Sequence, residues 1–277
     1  VLQRTPLRSD PTKTISNSTQ NKHMRQFQAF INWCYQMEFL DRQIQLKKPV
    51  IPSKEMETFT EDELDLLLDH LRDLANKPYD ETGKVHGRSL RRRKNLFRAV
   101  LLARNTLLRS GAIWALKLDA IDLDAKLIRI RDSVVETKNY RGKVKGVEFR
   151  SKKMKWPNKP INQVLFDFLK EDLEARQPSE RYFLDSGDGF AWQEQNKLAR
   201  ELRKELKVLG LNDSLKPFHH GLRASGITWL LNQPGVTPQM VQQLADHSNI
   251  ATTLKYFDTR KSAQETTVDL LNTMGKG

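Results

Sequence analysis

Cysteine and long apolar runs are what this sequence most clearly lacks. Cys34 is the single cysteine in 277 residues, which excludes an internal disulfide and a metal cluster built on thiolates. A membrane-spanning helix needs about 20 consecutive apolar residues, and neither such a run nor an apolar secretory segment occurs in the sequence. We therefore expect a cytoplasmic protein without a metal or another cofactor, in which Cys34 is a buried spectator on an apolar helical face.

Acidic residues are scarce relative to basic ones. The chain has 34 aspartate and glutamate residues against 47 lysine and arginine residues, so its formal net charge is +13 at pH 7. A charge of this size makes a polyanion the default partner. Charge alone does not choose among DNA, RNA and an acidic membrane surface.

Two prolines divide the chain into two predicted domains. Pro49 and Pro52 resist helix formation and keep residues 49–58 extended, as in a linker. Residues 1–48 begin with a polar, basic arm to about residue 15, and then show apolar positions at helical spacing. These positions are Met24, Phe27, Phe30, Ile31, Trp33, Cys34 and Tyr35. Residues 59–277 form the second domain, which ends in a tail from about residue 260 that has little apolar surface of its own.

The second domain begins with a predicted helix and a polar loop. Thr60 and Glu63 have capping-box spacing, and leucines from Leu64 to Leu71 follow on one helical face. The acidic residues of this turn favour a helix N-terminus, which is a simpler account than a metal site. Residues 77–94 are predicted as a loop that ends in a basic run, either a solvated face or a contact with nucleic-acid phosphates. The run consists of Arg88, Arg91, Arg92, Arg93 and Lys94.

Short strands and further helices complete this domain. Residues 127–130, 144–149 and 154–161 alternate as strands do, with turns at Gly142 and around Lys152. Asn162 is expected to cap a helix, and residues 192–209 to form another that stops at Gly210. The inward residues of the first helix would be Val164, Leu165, Phe168, Leu169 and Leu173. The fold class that follows is mainly α with a small antiparallel β-sheet.

Residues 216–259 gather the side chains that phosphodiester chemistry requires. A phosphate in transition carries extra negative charge on its equatorial oxygens, so fixed cationic donors lower the barrier. The planar fork of Arg223 matches two such oxygens at once. A tyrosine hydroxyl such as that of Tyr256 becomes a nucleophile beside a base or in an electropositive site. His220 and His247 lie in the same segment, although each of these residues alone is also common as a surface group or a core aromatic.

This segment resembles the C-terminal signature of the tyrosine recombinase (phage integrase) family. That signature has a His-x-x-Arg box, a Leu-Gly-His box and then a nucleophilic tyrosine. The chain reads His220-Gly-Leu-Arg223, then Leu244-Ala-Asp-His247, then Tyr256. Where the family usually has a Gly-His pair, this chain has an aspartate before the histidine, a departure that we expect to alter the turn more than the chemistry. Pro238 is predicted to begin the helix whose end delivers the second histidine.

The resemblance implies a first arginine box upstream. A Gly-Leu-Arg turn of the family is matched by Thr106-Leu-Leu-Arg109, which makes Arg109 the first phosphate clamp. The family commonly has a glutamate where this chain has Ala112. We take that glutamate to be a buttress, so its loss leaves the support of Arg109 open.

The resemblance also implies a catalytic lysine on a hairpin between the two arginine boxes. Lys159-Pro160-Ile161 matches the Val-Pro-Leu-like end of the strand that follows this lysine. One strand earlier stands Lys152, which is our choice, and Lys138 is the alternative. Lys138, Lys153 and Lys155 are also candidates for contacts with the DNA backbone.

The function implied by the resemblance is site-specific DNA recombination through a covalent 3′-phosphotyrosine intermediate. The catalytic domain would follow part of a helical core-binding domain that grips the DNA. The catalytic residues would be Arg109, Lys152, His220, Arg223, His247 and Tyr256. A type IB topoisomerase, which uses a similar set and relaxes supercoils as a monomer, is one alternative. A catalytically inactive DNA-binding relative is another.

The partner implied is double-stranded DNA. The family implies a homo-tetramer on two DNA sites, assembled from protomers that are monomeric or weakly associated when free. The setting would be the nucleoid of a bacterium or a phage-like element, and the event integration, excision or dimer resolution. The tail would dock on a neighbouring protomer or fold back over its own domain through Val268, Leu270 and Leu271.

Overall fold

The computed structural model describes residues 6–7, 10–47, 49, 57–77, 87–138, 144–151, 155–192, 195–213, 218 and 221–257. For residues 6–14, 88, 135–138, 144–147 and 195 the description is of the backbone alone. The chain divides into two compact units between Glu55 and Met56, a point inside the segment that the sequence predicts as a linker. No helix in these ranges is long and apolar enough to cross a membrane.

The first unit pairs a short hairpin with one long helix. Strands β1 (Pro6–Leu7) and β2 (Asp10–Thr14) are antiparallel, with Pro6 opposite Thr14. Helix α1 spans Asn17–Gln36, and the hydroxyl of its N-cap Ser16 accepts a hydrogen bond from the backbone N–H of Thr19. Two strands therefore form within the segment predicted as a polar, basic arm, because a hairpin is held by backbone hydrogen bonds and needs no apolar periodicity.

The predicted apolar face of α1 is only partly buried. Ile31 is buried and Cys34 is half-buried, so the expectation that the cysteine is fully buried is wrong. Phe27 is 56% exposed, and Phe30 stacks on Trp33 with ring centroids 6.0 Å apart. The chain that follows the helix instead packs against a face with buried amide side chains, Asn21 and Gln28.

The second unit contains most of the regular structure. Its helices are α2 (Glu61–Asn76), α3 (Gly87–Thr106), α4 (Ser110–Ala115), α5 (Gln163–Glu174), α6 (Gln195–Val208), α7 (Leu222–Leu231), α8 (Pro238–Ala245) and α9 (Ile250–Leu254). Its strands are β3 (Ile121–Asp122), β4 (Leu127–Arg129), β5 (Asp132–Lys138), β6 (Val144–Ser151) and β7 (Asn158–Pro160). Strands β3, β4 and β7 form an antiparallel sheet in that order, and β5 pairs with β6 in an antiparallel hairpin. The predicted fold class, mainly α with a small antiparallel sheet, is confirmed.

Helix α3 lies at the centre of the core. From Asn95 to Ala103 every residue of this helix is buried, and the leucines of α2 pack into the same cluster. Each fully buried leucine contributes about 1.5–3 kcal/mol relative to an exposed one. The capping box that precedes α2 is confirmed, since Thr60 and Glu63 each bond the other's backbone N–H.

Three features of the second unit differ from the sequence prediction. Helix α3 begins at Gly87, so the basic run lies on its first turns and not in a loop, because arginine and lysine are good helix formers. Strand β5 was not predicted; it has no alternating pattern and is fixed by pairing along its whole length with β6. Asn162 caps α5 as predicted, but Val164, expected to point inward, is 62% exposed, because the first turn of the helix faces solvent.

Candidate active site

The C-terminal end of α8 is the centre of the site. Thr237 caps the start of this helix and Pro238 occupies its first turn, as predicted. The helix ends at Ala245, and Asp246 then adopts a left-handed conformation with φ 52°. The backbone N–H of His247 bonds the carbonyl of Gln242 at 3.0 Å. This turn directs His247 back toward the helix end.

Arg223 is a buried cation of the site. It lies in the first turn of α7, is buried, and donates from its two Nη atoms to the backbone carbonyls of Leu107 and Ala245. Burial lowers its pKa to about 10, and the nearby charge of Arg109 acts in the same direction. Tyr256 and Asp246 raise it. The guanidinium therefore carries its charge at neutral pH.

Arg109 reaches the same turn from the other side. It precedes α4 as its N-cap and keeps 42% of its side chain exposed. One Nη lies 3.4 Å from Oδ2 of Asp246, and the other donates to the backbone carbonyl of Asp246 at 3.1 Å. Asp246, which stands where the family usually has the glycine of a Gly-His pair, thus contacts Arg109, and this contact was not expected from the sequence.

His247 is buried with a defined hydrogen bond. Its Nδ1 lies 2.9 Å from the hydroxyl of Thr253, which is itself buried. Burial, followed by the charges of Arg223 and Arg109, lowers the pKa of the imidazole to about 4. The ring is therefore neutral at neutral pH, and Nε2 is the nitrogen left to face a substrate.

Tyr256 follows α9 and lies against His247. The two rings stack with centroids 5.9 Å apart and an interplanar angle of 19°. The backbone N–H of Tyr256 bonds the carbonyl of Thr253 at 3.0 Å, and its side chain packs against a small apolar cluster that contains Val241 and Ala245. The ring is therefore held within electrostatic range of Arg223.

The structure thus brings together Arg109, Arg223, His247 and Tyr256. His220, Lys152 and Lys153 lie outside the described residues, as does the predicted turn at Gly142. Lys138 is the last residue of β5 and Arg88 the second of α3, both described by backbone alone. Lys155 is exposed, with its Nζ 4.6 Å from the centre of the Trp156 ring.

The basic run of α3 faces partly into the protein. Arg91 donates to the carbonyl of Ser186 at 2.6 Å, and Arg92 lies 3.5 Å from the carboxylate of Glu201. Lys94 is exposed. These contacts join the start of α3 to α6 and to the turn that precedes α6. Arg91 and Arg92 therefore have partners within the protein itself.

Lys159 is a residue of this site that was predicted from the sequence only as part of a strand end. It is only 1% exposed, and its Nζ donates to the carbonyls of Leu244 at 2.8 Å and Gln243 at 3.3 Å. Its burial could have been predicted, because Lys159 stands where the matching strand end of the family has valine, and an apolar position of this kind is expected to be buried. Thr253, the partner of His247, carried no comparable signal.

Three cations therefore converge on one helix end. The last carbonyls of α8 and its cap, from Gln243 to Asp246, accept hydrogen bonds from Lys159, Arg223 and Arg109. The carbonyls at the end of a helix carry the negative end of its dipole, and that of Gln243 also accepts a hydrogen bond from the backbone N–H of Asp246 at 3.1 Å. Carbonyl groups carry no formal charge, so they hold these cations without cancelling their charge, whereas Arg109 also faces the carboxylate of Asp246. No group of three or more His, Cys, Asp or Glu side chains in the described ranges could hold a metal ion.

Comparison with known proteins agrees with this geometry. A family model described as the Phage integrase family matches residues 57–263. By structure, the chain is similar to the Tn1549 transposon integrase in complex with a circular intermediate DNA, with 16% identity, a TM-score of 0.67, and coverage of 92% of this chain and 80% of that one. No curated protein matches by sequence.

Two other recombinases share the fold. The XerH site-specific recombinase bound to a palindromic difH substrate has 16% identity and a TM-score of 0.62, over 93% of this chain and 66% of that one. The XerA recombinase has 18% identity and a TM-score of 0.52, over 95% and 77%. At these identities the likeness is one of fold, whereas the family model covers well over half of the sequence. The chain therefore belongs to the phage integrase family and is a site-specific recombinase of the tyrosine class.

Proposed function

We propose that the chain cleaves and rejoins DNA through Tyr256. Its hydroxyl oxygen attacks a backbone phosphate, a tyrosyl–phosphorus bond forms at the 3′ side, and the bond from phosphorus to the 5′ oxygen breaks. The observation that carries this proposal is the meeting of Arg109, Arg223, His247 and Tyr256 around the end of α8. The tyrosine is the one nucleophile of that group.

The two arginines would hold the non-bridging oxygens of the phosphate. Their charges are fixed by the protein before the substrate arrives, so little reorganisation is needed when negative charge develops. Loss of one such donor typically costs about 3 to 4 kcal/mol of transition-state stabilisation. Neutral His247 would donate a further hydrogen bond from Nε2, with Nδ1 accepting from Thr253.

Two proton transfers complete the step. On the strength of the family resemblance, His220 takes or shares the proton of the tyrosine hydroxyl. Lys152, or Lys138 in its place, gives a proton to the departing 5′ oxygen. The products are a phosphotyrosine ester and a free 5′ hydroxyl. One phosphoester has replaced another of similar energy, so a 5′ hydroxyl from a partner strand can reverse the step without ATP.

The substrate we propose is double-stranded DNA at two recombining sites. The charge of +13 supports a polyanionic partner, and the Tn1549 and XerH structures are complexes with DNA. Assembly of four protomers on two sites follows from the family mechanism, as does a setting beside the chromosome. The transposon integrase supports integration or excision of a mobile element as the event.

A trapping experiment tests the proposal. Short duplexes taken from DNA that borders the gene, each with one nick, are incubated with the protein in EDTA and resolved by denaturing electrophoresis. A nick near the cleavage position lets the released fragment diffuse away, so the covalent complex accumulates. We expect a protein band shifted by the attached strand in wild type and none in Tyr256→Phe, which keeps the ring stacked on His247.

The outcomes separate the alternatives. A wild type that exchanges strands but forms no such band overturns the proposal. Relaxation of supercoiled plasmid by monomers at high dilution would assign the chain to the topoisomerase class instead. DNA binding without any strand cleavage would identify an inactive relative.

A further inference from the structure

Asp246 is a buried carboxylate placed between groups of the proposed active site. Its residue is 8% exposed, and its φ of 52° is one that aspartate, asparagine and glycine tolerate better than other residues. Oδ2 faces Arg109 at 3.4 Å, and Oδ1 accepts a hydrogen bond from the backbone N–H of Trp156 at 3.3 Å. The two oxygens of one side chain thus contact two different segments.

Both of those segments carry a proposed catalytic residue. Arg109 is itself the first phosphate clamp. Trp156 lies four residues after Lys152 in the sequence and begins the path into β7. Because Asp246 also directly precedes His247, a shift of its backbone would move the histidine. One residue therefore joins α8 to the start of α4 and to the β6–β7 connection.

The contact also has an electrostatic reason. Arg109 and Arg223 are close enough that the charge of the first lowers the pKa of the second. In the free protein this repulsion would drive the half-exposed Arg109 toward solvent. The buried carboxylate of Asp246 opposes that displacement. Its negative charge also acts to raise the pKa of Arg223 and of His247, against the larger lowering caused by burial. At position 112, where the resemblance implies a glutamate, the side chain is an alanine that can supply no such charge.

We propose that Asp246 is a positioning residue that orients the guanidinium of Arg109 for the DNA phosphate. The inference rests on the proposed function. A guanidinium has five N–H groups, and the two contacts with Asp246 use one from each Nη. The remaining N–H groups lie on a side chain that is 42% exposed, so a phosphate can bind while the aspartate contact persists.

The opposite role would be competition. If the carboxylate mainly occupied Arg109 and kept phosphate away, removing its charge would accelerate cleavage. Under the positioning role, removing it slows cleavage, because the guanidinium then samples orientations in solvent. The sign of the rate change therefore decides between the two.

The test is Asp246→Asn on a nicked duplex under single-turnover conditions. Asparagine keeps the size of the side chain and tolerates the left-handed backbone. We expect covalent complex to form roughly 10- to 100-fold more slowly, an effect of the size found when a residue that orients a metal ligand is replaced. DNA affinity, measured in a Tyr256→Phe background, should be unchanged or tighter, since a negative charge has been removed. A merely unfolded fraction would lower both quantities together.

Two further variants complete the design. Asp119→Asn removes an exposed carboxylate that pairs with Arg131 at 3.2 Å, away from the site, and should react at the wild-type rate. In an Arg109→Ala background, Asp246→Asn should have little additional effect, because the residue acts through the missing arginine. If Asp246→Asn folds poorly by urea titration, Asp246→Gly replaces it, since glycine adopts the same φ without strain.

Each other outcome overturns the inference. Equal rates for Asp246→Asn and wild type would show that Arg109 needs no support. A faster variant would establish competition. The same slowing in the Arg109→Ala background would show that Asp246 acts elsewhere. A wild type that forms no covalent complex would instead overturn the proposed function and, with it, this inference.

Discussion

The two arginines that we propose as phosphate clamps are held in different ways. Arg223 is buried, and both of its Nη atoms donate to backbone carbonyls, those of Leu107 and Ala245. Arg109 is half exposed, and among the described residues its side chain bonds to Asp246, through the carboxylate and the backbone carbonyl of that residue. A group held by main-chain atoms alone is fixed by the fold itself, whereas a group held in part by a side chain can be tuned by a single substitution. The first should be rigid and costly to alter, and the second adjustable.

The largest expected effect is that of Arg223→Ala. The rate of covalent-complex formation should fall on the order of 100- to 1,000-fold, because a transition-state donor is lost. The free energy of unfolding should also fall, by about 1–3 kcal/mol for each buried carbonyl left without a donor. Single-turnover trapping and urea unfolding measure the two losses. A variant with wild-type stability would contradict the view that this arginine holds the fold together.

Arg109→Ala should lower the rate of covalent-complex formation without a comparable loss in the free energy of unfolding. We expect a similar fall in rate, again on the order of 100-fold or more, but a change in unfolding free energy below about 1 kcal/mol, because the half-exposed arginine lets water screen the ion pair. Water can reach Asp246 once the half-exposed guanidinium is gone, so its carboxylate is not left desolvated. The same two measurements apply. A stability loss as large as that of Arg223→Ala would remove the distinction between the clamps.

Lys159→Met should weaken the helix end on which both clamps depend. Methionine preserves most of the buried stem but cannot donate to the carbonyls of Gln243 and Leu244. Hydrogen bonds from charged groups contribute about 1.5–3 kcal/mol, so a loss of that order in unfolding free energy is expected. Urea titration measures it, with the exposed Lys155→Met as the matched control. Equal stabilities for the two variants would argue against the anchoring role.

The smallest effect concerns pH. The pKa of His247 is lowered to about 4, mainly by burial, whereas an unfolded histidine titrates near its ordinary value of about 6.5. As pH falls from 7 to 5, the unfolded chain takes up a proton that the folded chain refuses, so stability declines by about 1.4 kcal/mol for each pH unit below the ordinary pKa. His247→Gln should lose less stability than wild type over this range, as followed by unfolding at each pH. Parallel curves would mean that the histidine is not protected from protonation.

Local features of this site were predictable from sequence because they are encoded over a few residues. The capping box at Thr60 and the start of α8 at Pro238 follow from spacing and turn chemistry, whereas the boxes that carry Arg109, Arg223 and Tyr256 were located through the resemblance to a family. The resemblance to a family added the chemistry that these boxes serve. The small antiparallel sheet was likewise expected, although β5 was not.

Contacts between distant segments could not be predicted from the sequence. Arg109 and Asp246 are separated by 137 positions, and Lys159 and Leu244 by 85. Such pairs depend on how α4, β7 and α8 pack, which no periodicity records. The direction of the first turns of α3 was missed for the same reason, since Arg91 and Arg92 face partners on other segments.

The side chain of Leu107 leaves no room for a side chain at position 226, which matters for attempts to change the DNA target of this recombinase. Leu107 has a φ of 52°, is buried, and supplies the carbonyl that holds Arg223. A Cβ atom added at Gly226 would collide with Cδ2 of that leucine. Libraries built to reach new target sites should therefore vary positions 107 and 226 together or leave both untouched, because a change at either one would be relayed to the reaction centre from inside the core.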